Sequence, residues 1–184
     1  MDRERRSDCL NPAFEKRNNG AFITMISTTT SNPDDFDFVI GSWVVRHRRL
    51  RERLANCTEW VEFAGTSETR KVLGGLGNVE DNLLELPEGT YRAVALRSFN
   101  TVEKAWAIWW LDGRAPWSLD APVIGKFSAG IGLFYAEGLL NGRPIRIRFT
   151  WTKVTSDVLR WEQAFSPDAG ATWETNWTMD FARR

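Results

Sequence analysis

Few residues of this chain have types and spacing that suit chemistry. His47 is its one histidine, and Asp112, Glu62, Arg97 and Gln163 are polar residues set in aromatic surroundings. An imidazole or a desolvated carboxyl can move a proton near neutral pH, and a guanidinium can orient a ligand. A single histidine excludes a multi-histidine metal site, so no metal ligand set is expected. There is no Gly-x-Ser-x-Gly elbow, and "GGLGN" (74–78) lacks the Lys and Ser/Thr of a phosphate-binding loop. It reads as a wide turn or lip at the mouth of a barrel. For His47 three readings stand in order: a neutral histidine hydrogen-bonded near a barrel end, a general base or ligand contact, and an axial haem ligand. Asp112, in "LDGR", reads first as a turn residue and second as a partner of Arg114.

The elements that must position these residues are strands. Short alternating runs recur from Trp43 to Phe181, separated by "PEG", "DGRAP", "SAG", "NGRP" and "SPDAGAT". About ten antiparallel strands joined by hairpins predict an all-β protein, closed into a barrel or packed as a sandwich. Only "PDDFDFVI" and "RERLAN" suggest helical turns. Residues 1–33 read as a flexible tail, with Met25 an alternative start, and residues 34–184 as the compact domain. Alternation puts Trp43, Val45, His47 and Arg49 on one face of the first strand. At the end of the chain it groups Trp161, Gln163 and Phe165 with Trp173, Thr175, Trp177, Met179 and Phe181. Most arginines fall on the opposite, solvated face. Glu62 shares a face with Trp60, and Arg97 with Tyr91; these two pair inside a barrel unless a bulge turns them out. Trp109 opposes Trp106 and Trp110, and an outward tryptophan calls for a cover, most simply a second subunit.

Composition narrows the function classes. Twenty-four basic residues balance 24 acidic ones. The basic excess of a nucleic-acid binder is missing, so "RHRRLRER" reads as an exposed strand end. No apolar run spans a bilayer, the opening residues lack the apolar core of a signal peptide, and two cysteines, Cys9 and Cys57, do not suggest a disulfide framework. The expected location is the cytoplasm. Ten tryptophans are the compositional outlier, and tryptophan lines cores, pockets and interfaces.

Two motifs add detail. "IGSW" places Gly41 and Trp43 as a Gly-x-Trp at the head of the first strand, and the chain ends in "FARR". This layout resembles the calycin superfamily, which includes lipocalins, fatty-acid-binding proteins and nitrobindin-like barrels. The resemblance implies a single calycin-like β-barrel of 8–10 strands, with Arg183 or Arg184 packed across the Trp43 indole. "FDFVIGSW", "LGGLGNVEDN", "WWLDGR" and "WEQAFSPDAGATWETNW" are similar to a bacterial family of this layout that has no settled activity, so only the fold carries over. "SPDAGATW" (166–173) resembles the Asp box, a structural hairpin in which Asp168 accepts backbone hydrogen bonds and Gly170 supplies a positive φ. One copy does not make a propeller.

The function expected from these residues is binding of a small, largely apolar or aromatic molecule in a tryptophan-lined cavity. Its lining would be His47, Trp60, Arg97, Trp110, Trp151, Trp161, Gln163 and Trp177. The alternative is a cofactor-free isomerase, cyclase or lyase in which His47, Asp112 or Glu62 moves a proton. A further alternative, by analogy with nitrobindin-like barrels, is haem held by His47. The expected partner is a small molecule, with no nucleic acid, no membrane, no resident cofactor and a homodimer as an option.

Overall fold

The computed structural model describes residues 31–184. The tail readings that concern residues 1–30, including Cys9 and Met25, lie outside the described residues. Ten strands follow a 3₁₀ turn at Asp37–Val39: β1 Gly41–Leu50, β2 Trp60–Val72, β3 Gly77–Leu86, β4 Gly89–Asn100, β5 Ala105–Asp112, β6 Val123–Ser128, β7 Ile131–Leu140, β8 Arg143–Lys153, β9 Val158–Ser166 and β10 Glu174–Arg183. Each strand pairs antiparallel with its sequence neighbour, and β1 also pairs with β10, so the sheet closes into a barrel without edges. A 3₁₀ turn leading into a Gly-x-Trp first strand of an all-antiparallel closed barrel is the calycin-like architecture.

One end is plugged by aromatic rings. Phe36, at the start of the 3₁₀ turn, meets Phe127 at 4.8 Å, Trp106 at 5.0 Å and Trp151 at 5.9 Å, and these rings are all buried. The Trp43 indole N–H donates to the carbonyl of Val39 at 2.8 Å, which ties the turn to β1. The Arg183 guanidinium lies 4.2 Å over the same indole, an arrangement that contributes roughly 0.5–2 kcal/mol. Gly41 has φ +120°, a backbone conformation that favours glycine, and a Cβ there would stand 2.8 Å from Arg183 Nη1 and press on the stacked guanidinium. Ser31 and Asn32 already belong to this end. The Ser31 hydroxyl accepts from the Phe127 amide, and the Asn32 carbonyl accepts from the Trp106 indole.

Three local expectations are corrected. The "RERLAN" segment is a run of bends from Arg51 to Ala55, with Leu54 and Asn56 at φ 54°, and not a helical turn. The glycine-rich 74–78 stretch joins β2 to β3 at the plugged end, because β1 pairs Gly41 with Thr69 there; it is no lip of the mouth. A bulge between Thr175 and Trp177 shifts the β9–β10 register, and the extra residue moves Trp173 and Thr175 off the inner face. Trp173 instead packs outside, 6.1 Å from Tyr135 and 4.4 Å beneath the Arg148 guanidinium.

Candidate functional site: the barrel cavity

Above the aromatic plug the barrel is hollow. The cavity holds about 530 Å³ and opens at the end where β1 leads to β2, β5 to β6 and β7 to β8. Its floor is polar. Arg97, 1% exposed, donates to Asn78 Oδ1 at 2.8 Å and forms a short ion pair with Glu80, itself 3% exposed. The guanidinium also lies 4.9 Å from the Trp151 ring and 5.2 Å from Phe36. Glu80 and Asn82 alternate along β3 and both face the cavity. The carboxylate, the amide and two ring faces offset most of the cost of burying this cation, while its Nε has no hydrogen-bond partner among the described residues.

The walls are aromatic. Trp177 is met edge-on by Trp161 at 5.5 Å and by Trp110 at 6.2 Å, and Phe149 meets Trp161 at 4.9 Å. These arrangements suit the ring quadrupoles and fix the indoles against one another. Gln163 stands among them and donates to Asn176 Oδ1 at 2.8 Å. Ile108, Ala95, Ala136 and Met179 complete the apolar wall.

The mouth carries charge. Asp112 and Arg114 pair at 2.6 Å, and Arg114 stacks 3.7 Å over the Tyr91 ring. The Arg114 hydrogen bonds hold the Asp112 carboxyl below its usual range, while burial raises the Tyr91 hydroxyl. Arg49 and Arg53 also turn onto the rim, where both act on Tyr91 and Arg49 acts on Asp112, although the sequence pattern puts most arginines outside. Arg49 lies 5.6 Å from the rings of Phe63 and Trp177, and Arg53 lies 5.7 Å from Phe165. The β5–β6 loop at this end leaves Trp117 fully exposed.

The candidate residues separate into two groups. Arg97, Trp110, Trp151, Trp161, Gln163, Trp177 and Asp112 line the cavity. Trp60, Glu62 and His47 do not. Trp60 and Glu62 point outward, since β2 sends Val61, Phe63 and Gly65 inward; Glu62 pairs with Arg46 and Arg48, and Arg48 covers Trp60 at 5.1 Å. The carboxylate that pairs with Arg97 is Glu80 and not Glu62. His47 is inside but packed into the wall. It stacks on Phe63 at 4.5 Å, and its Nδ1 accepts from the Trp177 indole N–H at 3.3 Å. Its Nε2 faces Gly65, where a Cβ would stand 2.8 Å away. Burial, and then the Arg49 charge, push its pKa down to about 3. Both ring nitrogens are therefore shielded, and the site does not fit a haem iron.

Sequence reasoning missed Arg49, Arg53, Glu80, Asn82 and Tyr91 as lining residues. Arg49 and Tyr91 share strand faces with candidate residues, and that parity was the available signal. Among the described residues no group of three or more His, Cys, Asp or Glu side chains is arranged to hold a metal ion, and no helix is long and apolar enough to cross a membrane.

The hairpin after β9 is a separate feature. Asp168 accepts from the Thr172 amide at 2.8 Å and from the Thr172 and Ser166 hydroxyls at 2.6 and 2.7 Å. These bonds, those of Thr172 first, lower its pKa to about 2. Gly170, at φ +101°, donates to the Ser166 hydroxyl at 2.7 Å. The loop is locked by its own hydrogen bonds and does not line the cavity.

No family model matches the chain, and no curated protein is significantly similar to it. A solved structure described as EF1p2_mFAP2b bound to DFHBI aligns over 84% of this chain and 100% of that one, with 11% identity and a TM-score of 0.43. At that score the likeness carries no argument about function.

Proposed function

We propose that this barrel binds one small, largely aromatic molecule in its cavity. The observation that carries the reading is the hollow itself. A volume of about 530 Å³ lies within the roughly 300–1,000 Å³ of small-molecule sites. Protein interiors otherwise pack as densely as organic crystals. Here four indoles and Phe149 stand around open space, with Glu80, Asn82 and Gln163 available to orient a ligand.

The acid–base alternative finds less support in the same geometry. Glu62 is outside the barrel, His47 is shielded and held neutral, and Asp112 is locked to Arg114 in its ionised form. Of the three, Asp112 alone lines the cavity, and its ion pair with Arg114 disfavours its taking up a proton there.

The test is a titration with N-phenyl-1-naphthylamine, an uncharged two-part aromatic probe whose emission rises in apolar surroundings. Saturable one-to-one binding with quenching of tryptophan emission is expected. Ala95→Phe and Ala136→Phe, two separate cavity-filling changes at lining positions, should each weaken it at least about tenfold while the fold is retained, because a ring in the cavity competes for the same space. Unchanged binding in both folded variants would place the probe elsewhere and overturn the reading.

A further inference from the structure

We infer that the molecule bound here is an aromatic carboxylate, held with its ring system against Trp110, Trp161 and Trp177 and its acid group at the rim between Arg49 and Arg53. The inference rests on the cavity being a ligand site and names the class of ligand it takes.

The charges of the lining are distributed unevenly. At the floor, Arg97 is neutralised by Glu80 within ion-pair contact. On the rim, Arg114 is neutralised by Asp112, and Glu137 reaches Arg146 at 3.5 Å. Two cations remain. Among the described residues the carboxylate within ion-pair distance of Arg49 is Glu88 at 3.8 Å, 66% exposed, where water and salt screen it, and Asp112 is felt from further off. Arg53 is half-buried and has no carboxylate within ion-pair distance among the described residues. Glu174, the acid on the neighbouring strand end, spends one oxygen on the Leu54 amide at 2.8 Å. Burial and then the Arg49 charge act against the charged form of Arg53, while Tyr91 and Glu174 favour it less strongly, so these two guanidinium groups feel one another. Two like charges on one partly desolvated rim raise the energy of the empty site, and an anion between them lowers it.

The position matches the shape of such a ligand. Arg49 sits over the rings of Phe63 and Trp177, and Arg53 over Phe165. The cationic pair is therefore continuous with the aromatic wall, and one molecule can meet both. Asp120, the remaining rim carboxyl, belongs to the β5–β6 loop and makes no ion pair with Arg49 or Arg53 among the described residues. A guanidinium pair favours a planar two-oxygen acid over an amide of the same shape, since charge-assisted bonds are about twice as strong as neutral ones.

The experiment displaces bound N-phenyl-1-naphthylamine with 2-naphthoate and, separately, with 2-naphthamide, which has nearly the same shape and no charge. The naphthoate is expected to compete at least about tenfold more tightly, with an advantage that shrinks as salt is raised. In Arg53→Gln and in Arg49→Gln the ratio of the two affinities should fall toward one. Equal competition by acid and amide in the wild-type protein overturns this inference and leaves the cavity reading standing. A ratio that survives both substitutions also overturns it, because the acid is then held elsewhere. Failure of the naphthylamine itself to bind overturns the cavity reading and this inference together.

Discussion

Replacing His47 by glutamine tests how tightly the cavity wall is packed. The imidazole is 1% exposed, stacked on Phe63 and hydrogen-bonded through Nδ1 to Trp177. Its folded-state pKa is about 3, against about 6.5 in an unfolded chain. Below pH 6.5 the unfolded chain takes up a proton that the folded chain refuses until near pH 3. Stability therefore falls as pH drops through that window, by up to about 1.4 kcal/mol per pH unit. Between pH 7 and pH 5 the loss from this one group is about 2 kcal/mol by the same relation. Glutamine keeps an acceptor for the Trp177 N–H and has no proton to take up. Urea unfolding of both proteins at pH 7, 6 and 5 should show this loss in the wild type beyond any change in His47→Gln, since carboxylates common to both cancel in the difference. As the chain has one histidine, its ring signals in NMR can be followed without ambiguity. Equal pH slopes in the two proteins, or a ring titrating near pH 6.5, would refute the reasoning.

Other perturbations have equally definite outcomes. Glu80→Gln leaves the Arg97 cation buried without its carboxylate and should cost about 3–5 kcal/mol in denaturant unfolding. The double change Glu80→Leu with Arg97→Met removes both charges and should cost clearly less than the single one. Gly41→Ala combines a positive φ with a Cβ 2.8 Å from Arg183; a loss of about 1–3 kcal/mol is expected, read as a lower thermal midpoint. Gly65→Ala meets the Leu83 carbonyl at 2.5 Å and His47 Nε2 at 2.8 Å. It should destabilise at least as much, and an unchanged midpoint would contradict the described packing of β2 on β3.

The fold was legible in the sequence because a closed antiparallel barrel writes itself as alternation interrupted by turn residues, and most of the ten strands carry that signal. Face assignment held where one face is aromatic and the other charged, as in β9, where Trp161 and Gln163 point inward between Arg160 and Glu162. It failed where hydropathy is silent. In β3 the inner set Asn78, Glu80, Asn82, Leu84 and the outer set Val79, Asp81, Leu83, Glu85 are similarly mixed, so nothing in the pattern marks Glu80 as the partner of Arg97. In β2 the presence of Trp60 beside Glu62 suggested an inner face that belongs to Val61 and Phe63. A single inserted residue at Thr175–Trp177 moved Trp173 outside, and bulges of this kind leave no hydropathy signature. Arg53 escaped for another reason: it lies in a bent connection, where no period relates a residue to the barrel interior.

The account stands on an open space in the barrel that a ligand fills. A crystal structure of the protein with N-phenyl-1-naphthylamine tests it directly. The probe should lie among Trp110, Trp161 and Trp177, above Arg97 and Glu80. A barrel whose side chains have closed that space, or a probe seated only on the outer surface beside Trp117, would contradict it.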